Sequence, residues 1–394
     1  MRVVPVIALA IAAAGAGVGA PGVVAADTPV PITHRDWTLD LYRGAALGSV
    51  RIVGMGGVQL AIAEGSAGTL GNPASPAVRK ATSTGWWDWD FHLDAMEAVY
   101  ASDFDNNGLV DDGRTSRTGT AGLAGMYYGW GTALVVSTQR ERLADAMGGE
   151  LSAIATVGKF AVANTFGDET WTVGAAVRVG TLSLTQLQPL FSITGTGLEA
   201  GALYRPHRDD LRVGATVALP VTGRTVDVAA CDPLDCEGHI LPARVAVPWE
   251  LAAGVAWRFG PTRWNQFVGG KFRDERSLLV AADLRVIGTV GDGMGLEAFG
   301  RDQWQRSGRH VSIGANLGAE WEALPGRLRL RGGTYWEPGR ISQVSGRPHL
   351  TAGVEVGFFT FRFWWNKKYR LRIGITGDFA PRFGNAGLSF GFWG

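Results

Sequence analysis

Long hydrophobic runs, cysteine and an excess of either charge are all scarce in this sequence of 394 residues. Beyond the N-terminal stretch, no segment reaches the roughly 18 consecutive apolar residues of a membrane-spanning helix. With 37 basic and 36 acidic residues, the chain also lacks the surplus of Lys and Arg that nucleic-acid binding requires. We therefore expect no nucleic-acid partner, and a chain that is either soluble or crosses a membrane as strands.

Enzyme motifs are missing as well. None of the six histidines lies in a G-x-S-x-G or H-E-x-x-H context, and no βαβ pattern follows the glycines near position 291. His310 and Ser312 would share one strand face and could form the catalytic dyad of a barrel hydrolase. The simpler interpretation is two polar side chains inside a barrel, so we expect a protein that is not an enzyme.

The N-terminus has the three parts of a secretory signal peptide. Arg2 supplies the positive charge, residues 3–18 are apolar, and Val24, Ala25 and Ala26 form a cleavage site. We predict a signal peptide at 1–26 and a mature start at Asp27; an uncleaved membrane anchor is the alternative.

The two cysteines, Cys231 and Cys236, are predicted to form a disulfide. Export would place them in an oxidising compartment, where a disulfide is the favoured state. Two cysteines alone do not make a structural zinc site, which needs four ligands. The ring is small, so we expect it to fix a loop and to add little to global stability.

Glycine and large aromatic residues are abundant, with 57 Gly, 15 Trp and 17 Phe. Glycine at this level without a collagen period suits closely packed strands and tight turns. Aromatic residues at this level suit the girdles of a membrane-embedded β-barrel.

Apolar and polar residues alternate along the second half of the chain, the period of a β-strand. In the stretch 327–331, for example, three arginines alternate with two leucines. A soluble antiparallel sheet shows the same period. The signal peptide, the strand lengths of about 10 to 14 residues and the Arg, Glu and Gly on the polar faces favour a membrane barrel.

Counting alternating segments predicts an all-β fold, a transmembrane antiparallel barrel of about 14 strands at 81–394. An even number is the rule for bacterial single-chain barrels, as are short turns at one end and long loops at the other. The exception is the connection at 260–276, which is long on the predicted periplasmic side. The predicted strands are 81–101, 118–129, 132–140, 151–165, 170–185, 191–205, 210–221, 249–259, 277–290, 308–322, 326–337, 349–362, 369–378 and 385–393.

The segment 27–80 shows no sustained alternation and is rich in Gly, Ala and Pro. It could be a disordered leader, a periplasmic arm or a plug. Since side chains alone do not fill a barrel of this size, we predict a plug.

Charged residues on the predicted strands are expected to face the lumen. These residues are Asp283, Arg285, Glu355, Arg327, Arg329 and Arg331. Ion pairing inside the lumen is the first interpretation. A polar path, or a site for the carboxylate of an amphipathic ligand, is the second, because Arg suits bidentate contact.

The stretch from Asp103 to Asp111 resembles the first half of a calcium loop. Asp103, Asp105 and Asn107 place hard oxygens at alternate positions, Gly108 allows a sharp turn, and Asp111 falls at the ninth position. Arg114 stands where the bidentate Glu is expected. The stretch is therefore either a Ca²⁺ site in an extracellular loop or a plain polar turn.

Several motifs resemble the long-chain fatty-acid transporter (FadL-type) family of outer-membrane proteins. They include Gly54-Met55-Gly56-Gly57, Gly71-Asn72-Pro73-Ala74 and the stretches 197–206 and 318–333, in the same order along the chain. The resemblance implies a fourteen-stranded barrel with an N-terminal plug, to which Gly54, Gly56, Gly57, Asn72 and Pro73 would belong. These glycines could equally serve only as turns. The connection near 185–190 is shorter than in that family, which argues against the family's surface ligand groove.

The resemblance also implies a function. The protein would pass hydrophobic or amphipathic small molecules, such as long-chain fatty acids, across the outer membrane of a Gram-negative-type bacterium by plug-gated diffusion. Its partners would be the lipid bilayer, the ligand and, during insertion, the barrel-assembly machinery, and we expect a monomer. PorV-type barrels share the signature, so a secretion or surface-assembly barrel that binds a protein partner is the alternative. A lipid hydrolase using His310 is the remotest one.

Overall fold

The computed structural model describes residues 30–42, 48–81, 83, 86–101, 103–108, 115–145, 149–186, 188–228, 231–269, 271–341, 344–363 and 367–392. The predicted signal peptide at 1–26 lies outside these residues, and so does Asp111. No helix within these ranges is long and apolar enough to span a membrane.

Within the described ranges, fourteen antiparallel strands form a closed barrel, in which the last strand pairs with the first. Four further short elements are helical. The helices are α1 Val50–Gly54, α2 Gly65–Gly68, a 3-10 turn Ser75–Ala77 and α3 Leu296–Gly300. Among the described residues the strand segments number eighteen, because two barrel strands are each divided in two and β1 and β13 lie outside the wall. They are β1 Thr38–Asp40, β2 Trp87–Ala101, β3 Thr115–Tyr127, β4 Trp130–Ala144, β5 Glu150–Phe166, β6 Trp171–Thr185, β7 Pro189–Tyr204, β8 Leu211–Ala218, β9 Val221–Val228, β10 Arg244–Val247, β11 Glu250–Phe259, β12 Leu278–Ile287, β13 Gly293–Met294, β14 Ser312–Leu324, β15 Leu328–Glu337, β16 Arg347–Phe363, β17 Lys367–Ala380 and β18 Phe383–Phe392.

Prolines break two of the fourteen barrel strands. Pro220 lies between β8 and β9, and Pro248 lies between β10 and β11. Proline has no N–H to donate to the ladder, so pairing is interrupted at both positions. The seventh barrel strand therefore consists of β8 and β9, and the eighth of β10 and β11.

The predicted number and order of barrel strands are confirmed. Differences lie at strand ends. The first barrel strand begins at Trp87 rather than at 81, and the predicted seventh and eighth strands omit the parts beyond the prolines, β9 and β10. The long connection after β11 is also present, since β12 starts only at Leu278.

The two faces of the wall differ in chemistry, and the apolar face is the outer one. Large apolar side chains point away from the barrel and are exposed, among them Leu123, Leu134, Leu198, Leu350 and Ile375. Polar and charged side chains alternate with them and are buried in the lumen. This arrangement inverts a soluble sheet and matches a barrel in lipid.

At one end of the barrel, here called the turn end, every connection except that between β11 and β12 has six residues or fewer. The opposite end, here called the loop end, carries the longer connections that follow β2, β9 and β12. Exposed aromatic side chains gather near the turn end, where they form the girdle expected at a membrane interface. They include Trp86, Tyr127, Tyr128, Trp130, Phe166, Trp171, Trp257, Phe259, Trp321, Phe358 and Phe359.

At the loop end, residues 31–42, 231–247 and 289–309 form a compact cap. In it, β1 pairs in parallel with both β10 and β13. Trp37 and Phe299 are buried with ring centroids 5.5 Å apart, and they pack into a hydrophobic cluster with the loop ends of β4 to β7. The predicted plug segment 27–80 is therefore divided, because residues 31–42 belong to this cap.

The predicted disulfide between Cys231 and Cys236 is present in the cap. Cys236 is 1% exposed and belongs to the cap's hydrophobic cluster, and its N–H donates to the carbonyl of His239. The disulfide thus holds the loop that carries part of the cap's core.

Candidate functional site

Residues 48–81, here called the inner segment, pack against the inward-facing side of the wall. The helix α1 lies against β15 to β18, and the 3-10 turn lies against β3 to β6. Ser49 caps α1 by accepting a hydrogen bond from the N–H of Ile52 (3.4 Å). The helices are only one turn long, so most backbone groups of the segment need partners on the wall.

Asp283 on β12 supplies two of these partners. Its Oδ2 accepts hydrogen bonds from the N–H groups of Gln59 (2.6 Å) and Leu60 (3.1 Å). The side chain is buried, and Gly254 on β11 leaves it room, because a Cβ there would meet its Oδ1 at 1.9 Å. A buried carboxylate is thus paired with backbone donors of the inner segment.

The inner segment comes closest to the wall at Gly56. This residue has φ +65°, donates its N–H to Thr351 Oγ1 (2.9 Å) and accepts from Asn316 Nδ2 through its carbonyl (2.6 Å). Facing wall positions are also glycine: a Cβ at Gly318 would lie 2.1 Å from the Met55 carbonyl oxygen, and one at Gly333 2.4 Å from the Gly56 nitrogen. Backbone touches backbone here, which only glycine allows.

Asn72 and Pro73 make the second close contact. Asn72 is fully buried and donates through Nδ2 to the carbonyls of Leu60 (3.2 Å) and Ala202 on β7 (3.1 Å). A Cβ at Gly174 on β6 would meet the Pro73 carbonyl oxygen at 2.2 Å. Among the predicted residues, Gly54 and Gly57 also lie on this segment, and the Gly57 carbonyl accepts from Arg285 (3.4 Å).

Ion pairs join the inner segment to the charged interior of the wall. Arg51 makes a bidentate contact with Glu320 on β14 (3.0 and 3.1 Å), and Glu320 also accepts from Arg331 on β15 (2.7 Å). Glu355 on β16 contacts Arg329, Arg331 and Arg372. The pairing of Glu320 with Arg51, 269 positions away, has no local signal in the sequence.

Arg327 requires a correction. It is exposed and lies in the turn between β14 and β15, since β15 begins only at Leu328. Its N–H donates to the Leu324 carbonyl (2.9 Å). The alternation with Arg329 continues past the end of the strand, and for that reason the prediction of a lumen-facing Arg327 is wrong.

The long connection between β11 and β12, residues 260–277, folds back under the inner segment; it is called the strap below. Trp264 is buried in the strap, with the guanidinium of Arg212 over its ring at 3.9 Å. The N–H of Val268 donates to the carbonyl of Ala81, at the end of the inner segment (2.9 Å). On the other side of the barrel, Asp274 forms a bidentate pair with Arg370 of β17 (2.6 and 2.7 Å).

Charges at this end hold the two segments in place. Burial alone would raise the pKa of Glu64, but the guanidinium groups of Arg212 and Arg51 outweigh burial and lower that pKa below its usual value. The hydrogen bond from Arg370 likewise lowers the pKa of Asp274. Both carboxyls therefore stay ionised at neutral pH.

A cavity of about 130 Å³ lies between the inner segment, the strap and the wall. Ser49, Arg51 and Glu64 line it from the inner segment, and Trp264 and Phe272 line it from the strap. It opens toward charged wall residues of β2, β14, β15 and β17. The inner segment and the cavity together form the candidate site.

Solved structures share this arrangement of strands, although no family model and no curated protein matches the sequence. A FadL homologue from Pseudomonas aeruginosa has a TM-score of 0.53 at 11% identity, over 89% of this chain and 98% of that one. The Pseudomonas putida toluene transporter TodX has a TM-score of 0.52 at 13% identity, over 91% and 99%. The Ralstonia pickettii toluene transporter TbuX has 0.52 at 12%, over 88% and 98%.

This chain has the FadL-type fold. The resemblance drawn from the glycine and Asn-Pro-Ala motifs is thereby confirmed at the level of the fold. At these identities the matches carry no residue-level correspondence, so the role of each residue rests on its own contacts.

In this FadL-type barrel the predicted calcium loop begins just after β2. The two carboxylate oxygens of Asp103 accept from the N–H groups of Asn107 (2.9 Å) and Gly108 (3.2 Å), and Asn107 Nδ2 donates to Glu297 (2.7 Å). Burial and the neighbouring Asp105 raise the pKa of Asp103. Across the described residues, no three His, Cys, Asp or Glu side chains are grouped to hold a metal. The Ca²⁺ site stays a prediction.

The predicted dyad of His310 and Ser312 does not form a shared face. β14 begins only at Ser312, which is buried, whereas His310 precedes the strand and is exposed. The strand was predicted four residues too long at this end. The hydrolase hypothesis therefore loses the geometry on which it was based.

Proposed function

We propose that this protein is an outer-membrane channel of a Gram-negative-type bacterium that passes hydrophobic or amphipathic small molecules, with the inner segment as its plug. The proposal rests chiefly on one observation: a closed barrel with an apolar outer face holds residues 48–81 against its polar inner face. A lumen of this size would otherwise be an open aqueous passage.

The orientation of the barrel follows from its connections. Short turns face the periplasm and longer loops face outside in exported barrels. The turn end would then be periplasmic and the cap extracellular. A ligand entering from outside would meet the cap first, then the inner segment, and then the cavity above the strap.

The contacts of the inner segment suit a plug that moves. Asp283, Asn316, Glu320 and Thr351 hold it by hydrogen bonds and ion pairs. Its apolar side chains pack in three separate small clusters rather than in one continuous core. Each hydrogen bond contributes only about 0.5–3 kcal/mol net, with the higher values for charged groups. Such a set can hold the passage closed and still release it for diffusion of a small ligand.

Two solved structures of this fold are described as toluene transporters, and another as a FadL homologue. They support a hydrophobic substrate for this chain. The substrate class we propose spans small aromatic hydrocarbons and fatty-acid-like molecules, because no described surface groove selects between them.

Uptake into proteoliposomes tests the proposal. Purified full-length mature protein is reconstituted, and entry of radiolabelled toluene and of a labelled fatty acid is compared with entry into empty vesicles. We expect faster entry of at least one, and a further increase with Arg51→Gln, which loosens the inner segment. Arg327→Gln, an exposed arginine at the same end, is the control and should change nothing.

Equal entry into protein-containing and empty vesicles, for both substrates and in the Arg51→Gln variant, would contradict the proposal. Capture of a stoichiometric protein partner by crosslinking in bacterial cells that express the protein would then support the secretion or surface-assembly alternative.

A further inference from the structure

The cavity above the strap carries a surplus of positive charge. Among the described residues that line it are eight Arg and Lys side chains and six Asp and Glu side chains. Five of the acidic side chains are used in ion pairs with lining cations, such as Glu64 with Arg212 and Asp274 with Arg370. The sixth, Asp94, faces His92 at 3.6 Å.

Two arginines carry the surplus. Arg273 of the strap forms no ion pair with any described residue; its guanidinium donates only to the backbone carbonyls of Trp264 and Gln266. Burial and the neighbouring Arg258 lower the pKa of Arg273 to about 10, so it remains charged at neutral pH. A half-buried guanidinium without a carboxylate at ion-pair distance keeps a charge that an anion would compensate.

Arg372 on β17 is the second. It is 3% exposed and shares the single carboxylate of Glu355 with Arg329 and Arg331. Its Nε is buried and has no hydrogen-bond partner within the described part of the chain. Arg372 lines the cavity beside several other guanidinium groups, and an N–H without a partner there is suited to donate to an anion.

The volume of the cavity and its aromatic lining indicate which kind of molecule can carry the anionic group. The cavity of about 130 Å³ is comparable to the roughly 150 Å³ engineered cavity that binds benzene. Trp264 and Phe272 line it, and each carries a guanidinium over its ring, at 3.9 and 4.2 Å. A single aromatic ring fits this space.

We propose that this cavity binds small aromatic carboxylates. The carboxylate accepts from the Nε–H of Arg372 and is further stabilised by the charge of Arg273, while the ring packs against Trp264 and Phe272. This inference rests on the proposed function, since it places an anion-selective site on the path beneath the plug. It adds a substrate class, the aromatic acid, that neutral-hydrocarbon passage does not require.

Isothermal titration of the purified full-length mature protein tests the site with phenylacetate and with phenylacetamide, its neutral counterpart. We expect phenylacetate to bind at least about tenfold more tightly, the difference that one charge-assisted hydrogen bond provides. Arg273→Gln and Arg372→Lys should each weaken phenylacetate binding about tenfold and leave phenylacetamide unchanged. Arg327→Gln, which removes an exposed arginine outside the cavity, should leave both ligands unchanged.

Two variants are used because Arg372 also supports Glu355. Arg372→Lys keeps the charge beside Glu355 and removes the Nε–H, and Arg273→Gln leaves the wall untouched. Equal binding of the acid and the amide, or phenylacetate binding that neither variant weakens, would overturn the proposal.

Toluene entry into proteoliposomes, measured on the same preparations, separates the two claims. Normal toluene entry without selective phenylacetate binding refutes the anion site and leaves the channel intact. Selective binding without any toluene entry refutes the channel and leaves the anion site standing.

Discussion

Asp283 illustrates how single side chains replace secondary structure in this molecule. The inner segment has too little helix to satisfy its own amides, and a carboxylate on β12 accepts two of them. Gly56 does the reverse, offering its N–H and carbonyl to Thr351 and Asn316. The segment is thus fixed by wall residues, one contact at a time.

Asp283→Asn is expected to loosen the inner segment. The amide turns a donor toward two backbone N–H groups or keeps a single neutral acceptor, so the charge-assisted bonds, together about 1.5–3 kcal/mol, are lost. Limited proteolysis in detergent should then cut residues 48–81 at least about tenfold faster while the barrel remains intact.

The matched control is Asp168→Asn. Asp168 is exposed in a turn at φ +52°, a conformation that Asn adopts as readily as Asp. Cleavage at the wild-type rate is expected for this variant. If Asp283→Asn were also cleaved at the wild-type rate, the carboxylate would not anchor the segment.

Glu64 predicts a pH dependence. The pKa of Glu64 is lowered in the folded protein. The ionised carboxylate therefore contributes fully to the free energy of unfolding above pH 4.5, the ordinary pKa, and this contribution is lost as the pH falls through the lowered pKa. Glu64→Gln should therefore lower the thermal midpoint at pH 6 to 7, and the gap to wild type should close in strong acid. A gap that did not narrow at all as the pH falls below 4.5 would contradict the role of the Arg212 pair.

At the level of elements, the strap is longer than its connection requires. Phe259 and Leu278 pair directly across β11 and β12, so a two-residue hairpin turn could join them. The remaining residues cross the turn end, from Trp264 near Arg212 to Asp274 on Arg370. The extra residues therefore make contacts inside the barrel and are not needed for strand pairing.

Replacing residues 260–277 with an Asn-Gly turn tests this view. The barrel should still form, because the pairing of β11 with β12 is untouched. Its conductance in a planar bilayer should rise severalfold, since one of two obstructions has been removed. Lys271→Gln, an exposed change within the strap, should keep the wild-type conductance, and an unchanged conductance without the strap would disprove an obstructing role.

The strands were predictable because their signal is local. The two-residue period places Asp283 and Glu355 on an inward face whatever the rest of the chain does. The path of the strap was not predictable, since its partners Arg212 and Arg370 are brought near only by barrel closure. The predicted positions of Arg327 and His310 were wrong for a simpler reason. Each residue lies just outside the end of a strand, where the alternating pattern continues by chance.

For the whole molecule, the cap and the barrel are expected to melt separately. The hydrophobic cluster of the cap around Trp37 and Phe299 reaches the barrel only at the loop ends of β4 to β7, whereas the barrel is held by its continuous ladder. Changing both Cys231 and Cys236 to Ser should lower an early transition in near-ultraviolet circular dichroism by several degrees. The loss of barrel strands, followed by far-ultraviolet signal, should stay at the wild-type temperature.

A single coincident transition, shifted as a whole by the double substitution, would show instead that the cap and the barrel form one cooperative unit. The double change to Ala at Thr185, the last residue of β6, and at Gln188 in the connection that follows serves as the control and should move neither transition.

The position of the inner segment in the chain has a consequence for biogenesis. Arg51 pairs with Glu320, Gly54 lies beside Thr376, and Val50 lies beside Gly387. In each pair the second residue is translated hundreds of residues after the first. The inner segment is therefore synthesised long before the wall residues that it contacts, and it can dock only after they have been translated. Contacts so distant in sequence slow folding, so we expect docking of the inner segment to be a late event of assembly.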